Sequence, residues 1–285
     1  MNPGRRHRAA GAREGVPMAL DPAFEGTVPA LFERFGVPML FAPYVGDLVQ
    51  RLGGLAEGRV LETAAGTGVV TRALLAGLPA PVRIVATDLS QAMLDHAMTQ
   101  VSSDRLSWQQ ADAQALPFAD SSFDAVVCQF GVMFFADKVR GFAEAFRVLR
   151  PGGRFLFSVW DRIEENALTD TTMRALDALF PDDPPVFMRR IPHGFHDAAA
   201  LERMLREAGF GAVASATVRR ESAAPDAAAV ARFMCQGSPM SAEIEARAPG
   251  RLEAITGAVA AAITERHGAG PVTAPMQAIV LVATR

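Results

Sequence analysis

Residues 59–68, RVLETAAGTG, constrain the fold of this chain more than any other segment. An apolar pair, Val60 and Leu61, ends in the acidic Glu62. A loop of small residues follows (Ala64, Ala65, Gly66, Thr67, Gly68) and opens into a helix-like stretch, VVTRALLAGL. A strand, a glycine turn and a helix N-terminus together form a site where backbone N–H groups face a bound ligand. A second strand pattern, RIVATD, ends at Asp88, twenty residues beyond Gly68, where a carboxylate is placed to hold a ribose diol. The pair predicts a nucleoside cofactor on a Rossmann-like sheet.

From residue 56 onward, strand and helix patterns alternate. Residues 60–62, 83–87, 106–109, 125–129 and 154–160 read as strands, and 69–76, 91–99 and 198–208 as helices. Val139, Phe142, Phe146 and Leu149 fall on one face of a further helix between the fourth and fifth strands. Strands at 213–219 and 278–283 complete the set, with a helical insert between them at 222–270. This alternation predicts an α/β fold: a Rossmann-like, seven-stranded, mostly parallel sheet with helices on both faces and a helical substrate lid. Ahead of the first strand, residues 29–55 carry apolar residues at helical spacing, broken by Pro38 and Pro43, which predicts two or three short helices. We expect one domain over 21–285: N-terminal lid helices (29–55), a cofactor-binding half (56–160), a lid insertion (161–197) and a C-terminal half (198–285).

Composition removes several classes. Half of the 285 residues are hydrophobic, enough to bury one good core. No apolar run reaches the ~18 residues that span a bilayer, so we expect a soluble, cytoplasmic protein without a membrane span. A net charge of −3 lacks the clustered excess base of a nucleic-acid-binding face. Cys128 and Cys235 are far apart and belong to no ligand motif, which argues against a disulfide framework or a zinc site. No metal is expected. Lys138 is the sole lysine, and arginine carries the remaining positive charge, a pattern of coding bias. Residues 1–20 are basic, punctuated by Gly and Pro, and lack the apolar core of a secretory signal. They read as a disordered tail, with Met18 as an alternative start.

Later motifs select among nucleoside cofactors. A nicotinamide cofactor favours G-x-G-x-x-G, and the run GTGVVT from Gly66 fails at the third glycine. In QQADAQALPF, Asp112 and Ala113 follow the third strand, where a carboxylate can accept from an adenine amine and a backbone N–H can address the ring. DSSFDAVVCQFGVMFF then leads into the fourth strand, and RVLRPGGRFLFSVW makes a Pro-Gly-Gly turn into the fifth. With these motifs in order over roughly residues 55–160, the chain resembles the class I S-adenosylmethionine-dependent methyltransferases. It looks most like the type 11 branch, related in pattern to the ubiquinone and menaquinone C-methyltransferases.

The resemblance implies S-adenosylmethionine as cofactor and S-adenosylhomocysteine as product. It implies that Ala65, Gly66 and Thr67 approach the methionine part, with Glu62 and Ala64 in the same cofactor loop and Gly68 allowing close packing at the helix start. Asp88 would bind the ribose hydroxyls, Leu89 and Met93 would sandwich the adenine, and Asp112 and Ala113 would address its edge. Gln129 and Phe130 would lie near the amino-acid end and the sulfonium. The family's first glycine is Ala64 here, and we expect an ordinary backbone there, since one methyl group is tolerable where φ need not be positive. Packing readings stand beside these roles: Glu62 as a local pair, Met93 as core, Cys128 and Trp160 as interior residues.

The implied reaction is an in-line displacement at a sulfonium, which needs an aligned nucleophile and exclusion of water. CQFGVMFF stands where an N/D-P-P-Y segment would mark methylation of nucleic-acid bases or glutamine, so those amines are not the expected acceptors. The Phe-rich character suits a hydrophobic small molecule, and Arg189-Arg190 makes an anionic one a candidate. Lid candidates are Phe32, Arg34, Phe35, Met39, Phe41 and Tyr44, together with residues 161–197; Phe233, Met234 and Met240 would add an apolar wall. Within 161–197, His193 is the candidate general base by intrinsic pKa, and Glu165, beside Glu164 after the fifth strand, is the candidate carboxylate. O-methylation of a phenol or enol leads. The alternative is C-methylation of an alkene, quinol or prenyl diphosphate through a carbocation-like intermediate, with a glutamate base. A cofactor-binding sensor without catalysis is the reading outside enzymes, and a homo-oligomer stays open.

Overall fold

The computed structural model describes residues 26–285, and the tail reading at 1–20 lies outside them. Five strands run parallel: β1 (Gly58–Glu62), β2 (Val82–Asp88), β3 (Leu106–Gln110), β4 (Phe123–Gln129) and β5 (Leu149–Trp160). β7 (Val272–Thr284) lies antiparallel between β5 and β6 (Ala212–Ala224). The seven-stranded order is β3-β2-β1-β4-β5-β7-β6. Central strands covered on both faces read as continuous apolar runs, and Val60, Leu61, Val126, Val127 and Cys128 are fully buried. Because β1 pairs with β2 on one side and β4 on the other, the strand order reverses there. A crevice opens at the carboxyl ends of these strands, where such sheets bind ligands.

Helices α1 (Val28–Leu31) and α2 (Ala42–Arg51) flank a ten-residue π-helix, Phe32–Phe41. α3 (Val69–Gly77), α4 (Gln91–Gln100) and α5 (Lys138–Val148) follow β1, β2 and β4. Beyond β5 come α6 (Ala167–Leu179), α7 (Phe187–Arg190) and α8 (Ala198–Glu207), and between β6 and β7 lie α9 (Ala227–Gln236), α10 (Met240–Arg247) and α11 (Leu252–His267). α2 packs on α3 and α5 on α8, while α6, α9 and α11 pack on one another. Among the described residues no helix is long and apolar enough to cross a membrane.

Three local expectations change. Pro38 and Pro43 do not break the N-terminal segment, which is helical without interruption from Val28 to Arg51. Pro38 sits inside the wide π-helix, and Pro43 follows directly where the π-helix passes into α2. Leu149 leaves the helix and begins β5, pairing with Phe123. β6 continues past Arg219 to Ala224, because it pairs with β7 beyond the point where β7 leaves β5, forming a two-stranded ribbon.

Candidate active site

The loop after β1 is stitched to its neighbours by backbone bonds, Thr63 N–H to Val127 C=O and Ala65 N–H to Thr87 C=O, both 2.9 Å. Its left-handed positions are Gly66 (φ 55°), Gly68 (φ 85°) and Ala64 (φ 53°). The expectation of an ordinary backbone at Ala64 is therefore corrected: the position needs positive φ, and its methyl group is held there by packing. It faces Gly131, where any Cβ would overlap the Ala64 methyl and stand 2.7 Å from Cys128 Sγ. The loop ends at α3, whose N-cap residue, Gly68, has no side chain to cap it, whereas α4, α5, α8 and α9 are capped by Ser90, Asp137, Asp197 and Asp226. In the first turn of α3, Thr71 N–H is taken by the Glu62 carboxylate, and Val69 and Val70 line the cavity beside it.

Asp88, at the end of β2, accepts from Gly66 N–H at 2.8 Å and from Ser90 N–H at 2.9 Å. Those bonds fix the carboxylate against the loop after β1 and the start of α4. Glu62 is 2% exposed and accepts from Thr71 Oγ1–H at 2.6 Å; burial pushes its carboxyl up to about 8. Gln129 donates through Nε2 to Phe41 C=O at 3.2 Å. Its Oε1, like Thr67 Oγ1, is buried without a partner.

These residues meet in one cavity of about 730 Å³. It is lined by Glu62, Ala64, Ala65, Gly66, Thr67, Asp88, Leu89, Met93, Asp112, Ala113, Gln129, Phe130 and His193, so most of the sequence candidates converge. Gly68 stays behind the wall, where a Cβ would come 3.2 Å from the Trp108 ring and 3.3 Å from Ala97 Cβ. Leu89 is 42% exposed, at the rim, while Met93 is buried. The lining fits S-adenosylmethionine: a helix start at Val69 and Val70, the Asp88 carboxylate at the end of β2, and two orphaned buried oxygens that can accept from an ammonium.

The opposite wall is aromatic. Phe130, itself at φ 55°, stacks on Trp160 with centroids 3.9 Å apart, and Phe41 meets both rings edge-on. Trp160, expected as interior packing, is both buried and part of this wall. Phe32, Phe134, Phe187 and Phe233 line the same cavity. Among them stands His193, 6% exposed, with Nδ1 2.8 Å from the Asp161 carbonyl. A carbonyl only accepts, so Nδ1 carries the proton and Nε2 keeps its lone pair. Burial pushes the His193 pKa down to about 4, so the ring is neutral at physiological pH.

Glu165 does not join this constellation. It lies on a single exposed 3-10 turn, Ile163–Glu165, and does not line the cavity. Asn166, the next residue, is the one that turns inward, bonding the carbonyls of Arg162 and Gln277 at 3.0 and 3.3 Å. Arg189 is held in a bidentate pair by Asp177 at 2.9 and 2.6 Å, away from the lining. Arg190 lines the cavity and reaches Glu243 at 3.3 Å. Sequence reasoning did not assign Lys138, Asn166, Thr169 or Met188, which also line the cavity. The last three come from the start of α6, which Asn166 precedes, and from α7, and no local motif marks them.

A family model described as "Methyltransferase domain" matches residues 61–157. The ubiquinone/menaquinone biosynthesis C-methyltransferase UbiE of Dinoroseobacter shibae is 32% identical over 175 residues, covering 55% of this chain and 68% of that protein. A demethylmenaquinone methyltransferase of Deinococcus radiodurans is 45% identical over 100 residues, 34% of this chain and 41% of that one. Against the first three curated relatives the chain spans 41% to 47% of their length. Among solved structures, a Haemonchus contortus phosphoethanolamine N-methyltransferase 2 bound to phosphomonomethylethanolamine and S-adenosylhomocysteine superposes with a TM-score of 0.59 at 15% identity. That match covers 93% of this chain and 59% of that chain and shows the shared fold.

Proposed function

Because the chain belongs to the class I S-adenosylmethionine-dependent methyltransferases, we propose that it methylates a hydrophobic, hydroxyl-bearing ring compound. The observation that carries the reading is a single cavity with two unlike walls. One holds Asp88 and the start of α3; the other is aromatic and presents one neutral histidine. S-adenosylmethionine supplies the methyl group from its sulfonium. Asp88 would hold the ribose, and Gln129 Oε1 and Thr67 Oγ1 would accept from the ammonium. The aromatic wall would receive the acceptor and keep water out, with the helices carrying Phe32, Phe187 and Phe233 as its lid. His193 Nε2 would accept the acceptor's hydroxyl proton as the oxygen becomes nucleophilic.

O-methylation of a phenol or enol follows directly from a proton acceptor facing a hydroxyl. A second reading, C-methylation of a quinol or phenol ring, is favoured by the relatives, whose names specify C-methyltransferases. Removing the same proton raises electron density on the ring carbons; once a carbon has taken the methyl group, its own proton leaves to solvent as the ring regains aromaticity and His193 returns the hydroxyl proton, so His193 serves either outcome. The glutamate base of the carbocation route has no support from Glu165, which faces solvent. Two buried free cysteines suit a reducing cytoplasm.

The test is turnover of phenols and quinols with ¹³C-methyl S-adenosylmethionine, since oxygen-bound and carbon-bound methyl groups resonate in separate regions. His193→Ala should lower turnover by roughly 10²-fold or more, the scale of a lost acid–base group, while Glu165→Ala leaves it unchanged. Equal activity of His193→Ala and wild type would remove histidine from the mechanism.

A further inference from the structure

The π-helix is where the acceptor wall acquires its shape. In an α-helix of about 3.6 residues per turn, positions nine apart point to opposite sides. In the wider i→i+5 helix nine residues make roughly two turns. Phe32, Gly36 and Phe41, spaced four and five apart, therefore form one stripe, and Phe32 and Phe41 stack with centroids 4.6 Å apart. The whole stripe meets one side chain of α9. Phe233 lies edge-on to Phe32 at 5.8 Å and to Phe41 at 6.4 Å, and its ring rests directly on Gly36.

Gly36 is buried, its φ is open to any L residue, and a Cβ there would overlap the Phe233 ring. Glycine weakens a helix, so its use here serves space rather than backbone conformation. Gly237 flanks the same ring, with a would-be Cβ 2.8 Å from Phe233 Cδ2. Both glycines leave room along the same Cδ2–Cε2 edge of the ring, so a methyl group at position 36 displaces Phe233 away from the π-helix, and Phe233 lines the cavity.

We propose that Gly36 is a specificity-determining residue: by letting Phe233 sit back against the π-helix, it sets the width of the slot that admits the acceptor's flat ring. The inference rests on the reading of this cavity as the acceptor site. A methyl group at position 36 pushes Phe233 forward and narrows the slot without touching the cofactor loop.

The experiment is calorimetric titration of the full chain, saturated with S-adenosylhomocysteine, with phenol and with 2-naphthol. In Gly36→Ala, 2-naphthol should bind about tenfold or more weakly while phenol changes by less than about twofold, the scale of a methylene-sized mismatch in an apolar pocket. Gly36→Ala/Phe233→Leu should recover 2-naphthol binding. A Gly36→Ala protein that binds S-adenosylhomocysteine and 2-naphthol as the wild type does overturns the inference, as does a double variant without recovery. If Gly36→Ala does not fold, Phe233→Leu decides: it should raise the preference for 2-naphthol over phenol, and an unchanged ratio overturns the inference. Wild-type protein that binds S-adenosylhomocysteine and neither ring contradicts the acceptor reading of the cavity itself, and the width assignment falls with it.

Discussion

Two buried titratable side chains in the cavity pull stability in opposite directions. Glu62 is pushed up to about 8 from an ordinary 4.5, so between those values the folded chain holds a proton that the unfolded chain has released. Its contribution is complete below pH 4.5 and is lost as pH rises through 8. His193 is pushed down to about 4 from 6.5, so its contribution is complete above pH 6.5 and is lost as pH falls toward 4. Above pH 6.5, then, Glu62 is the one of the two that still titrates. Calorimetric melting of the ligand-free protein should show a Tm that declines from pH 6.5 to 8, with a shallower decline in Glu62→Gln. Equal slopes would mean that Glu62 ionises normally.

Ala64 and Gly131 make a second prediction. Gly131→Ala should cost about 1–3 kcal/mol, the usual penalty for overfilling a tight site. Adding Ala64→Gly should return part of it, since it removes the overlap with the Ala64 methyl while the one with Cys128 Sγ stays. Additive losses in urea unfolding would contradict that account. Ala64 also marks what a residue-level reading misses. The small-residue loop was legible, but a positive φ at an alanine is set by the two strands that close on it.

At the scale of elements, the cofactor half was readable because its signals are local. An apolar strand ending in a carboxylate and a glycine turn into a helix are each written within about ten residues. The structure adds that α3 begins at the left-handed Gly68 and that Glu62 holds Thr71 in its first turn. Gly68→Ala tests the element directly: it strains a left-handed position and presses on Trp108 and Ala97. We expect a loss of about 1–2 kcal/mol in urea unfolding from the strain alone, together with weaker S-adenosylhomocysteine binding as the start of α3 shifts. Unchanged binding would detach the helix N-terminus from the cofactor. The π-helix was not legible. Its apolar residues read as α-helices broken at prolines, because period analysis tests 3.6 and 2 residues and not the wider repeat that aligns Phe32, Gly36 and Phe41. The inward turn of Asn166 beside exposed Glu165 was hidden for a related reason: one short 3-10 turn decides which of two neighbours faces the cavity.

For the whole molecule, a seven-stranded, mostly parallel sheet was legible from alternation, since each parallel pairing needs a crossover; the strand order was not, and its reversal beside β1 is where such sheets bind ligands. The aromatic wall was legible only as a list of phenylalanines, because it is assembled from the π-helix, the ends of β4 and β5, and α9, distant in sequence and joined by the fold. A ligand that binds the folded chain alone stabilises it by about 2.7 kcal/mol at one hundred times its dissociation constant. For a chain of this size that predicts a rise of roughly 5–10 °C in Tm with saturating S-adenosylhomocysteine.

The central claim is that Asp88 and the loop after β1 hold S-adenosylmethionine at the strand ends. The most direct test is calorimetric titration of the wild type and Asp88→Ala with S-adenosylmethionine and S-adenosylhomocysteine, with NAD as control. We predict micromolar binding of the first two to the wild type, none of NAD, and loss of binding in Asp88→Ala. Binding that persists undiminished in Asp88→Ala, or tighter binding of NAD, would contradict it.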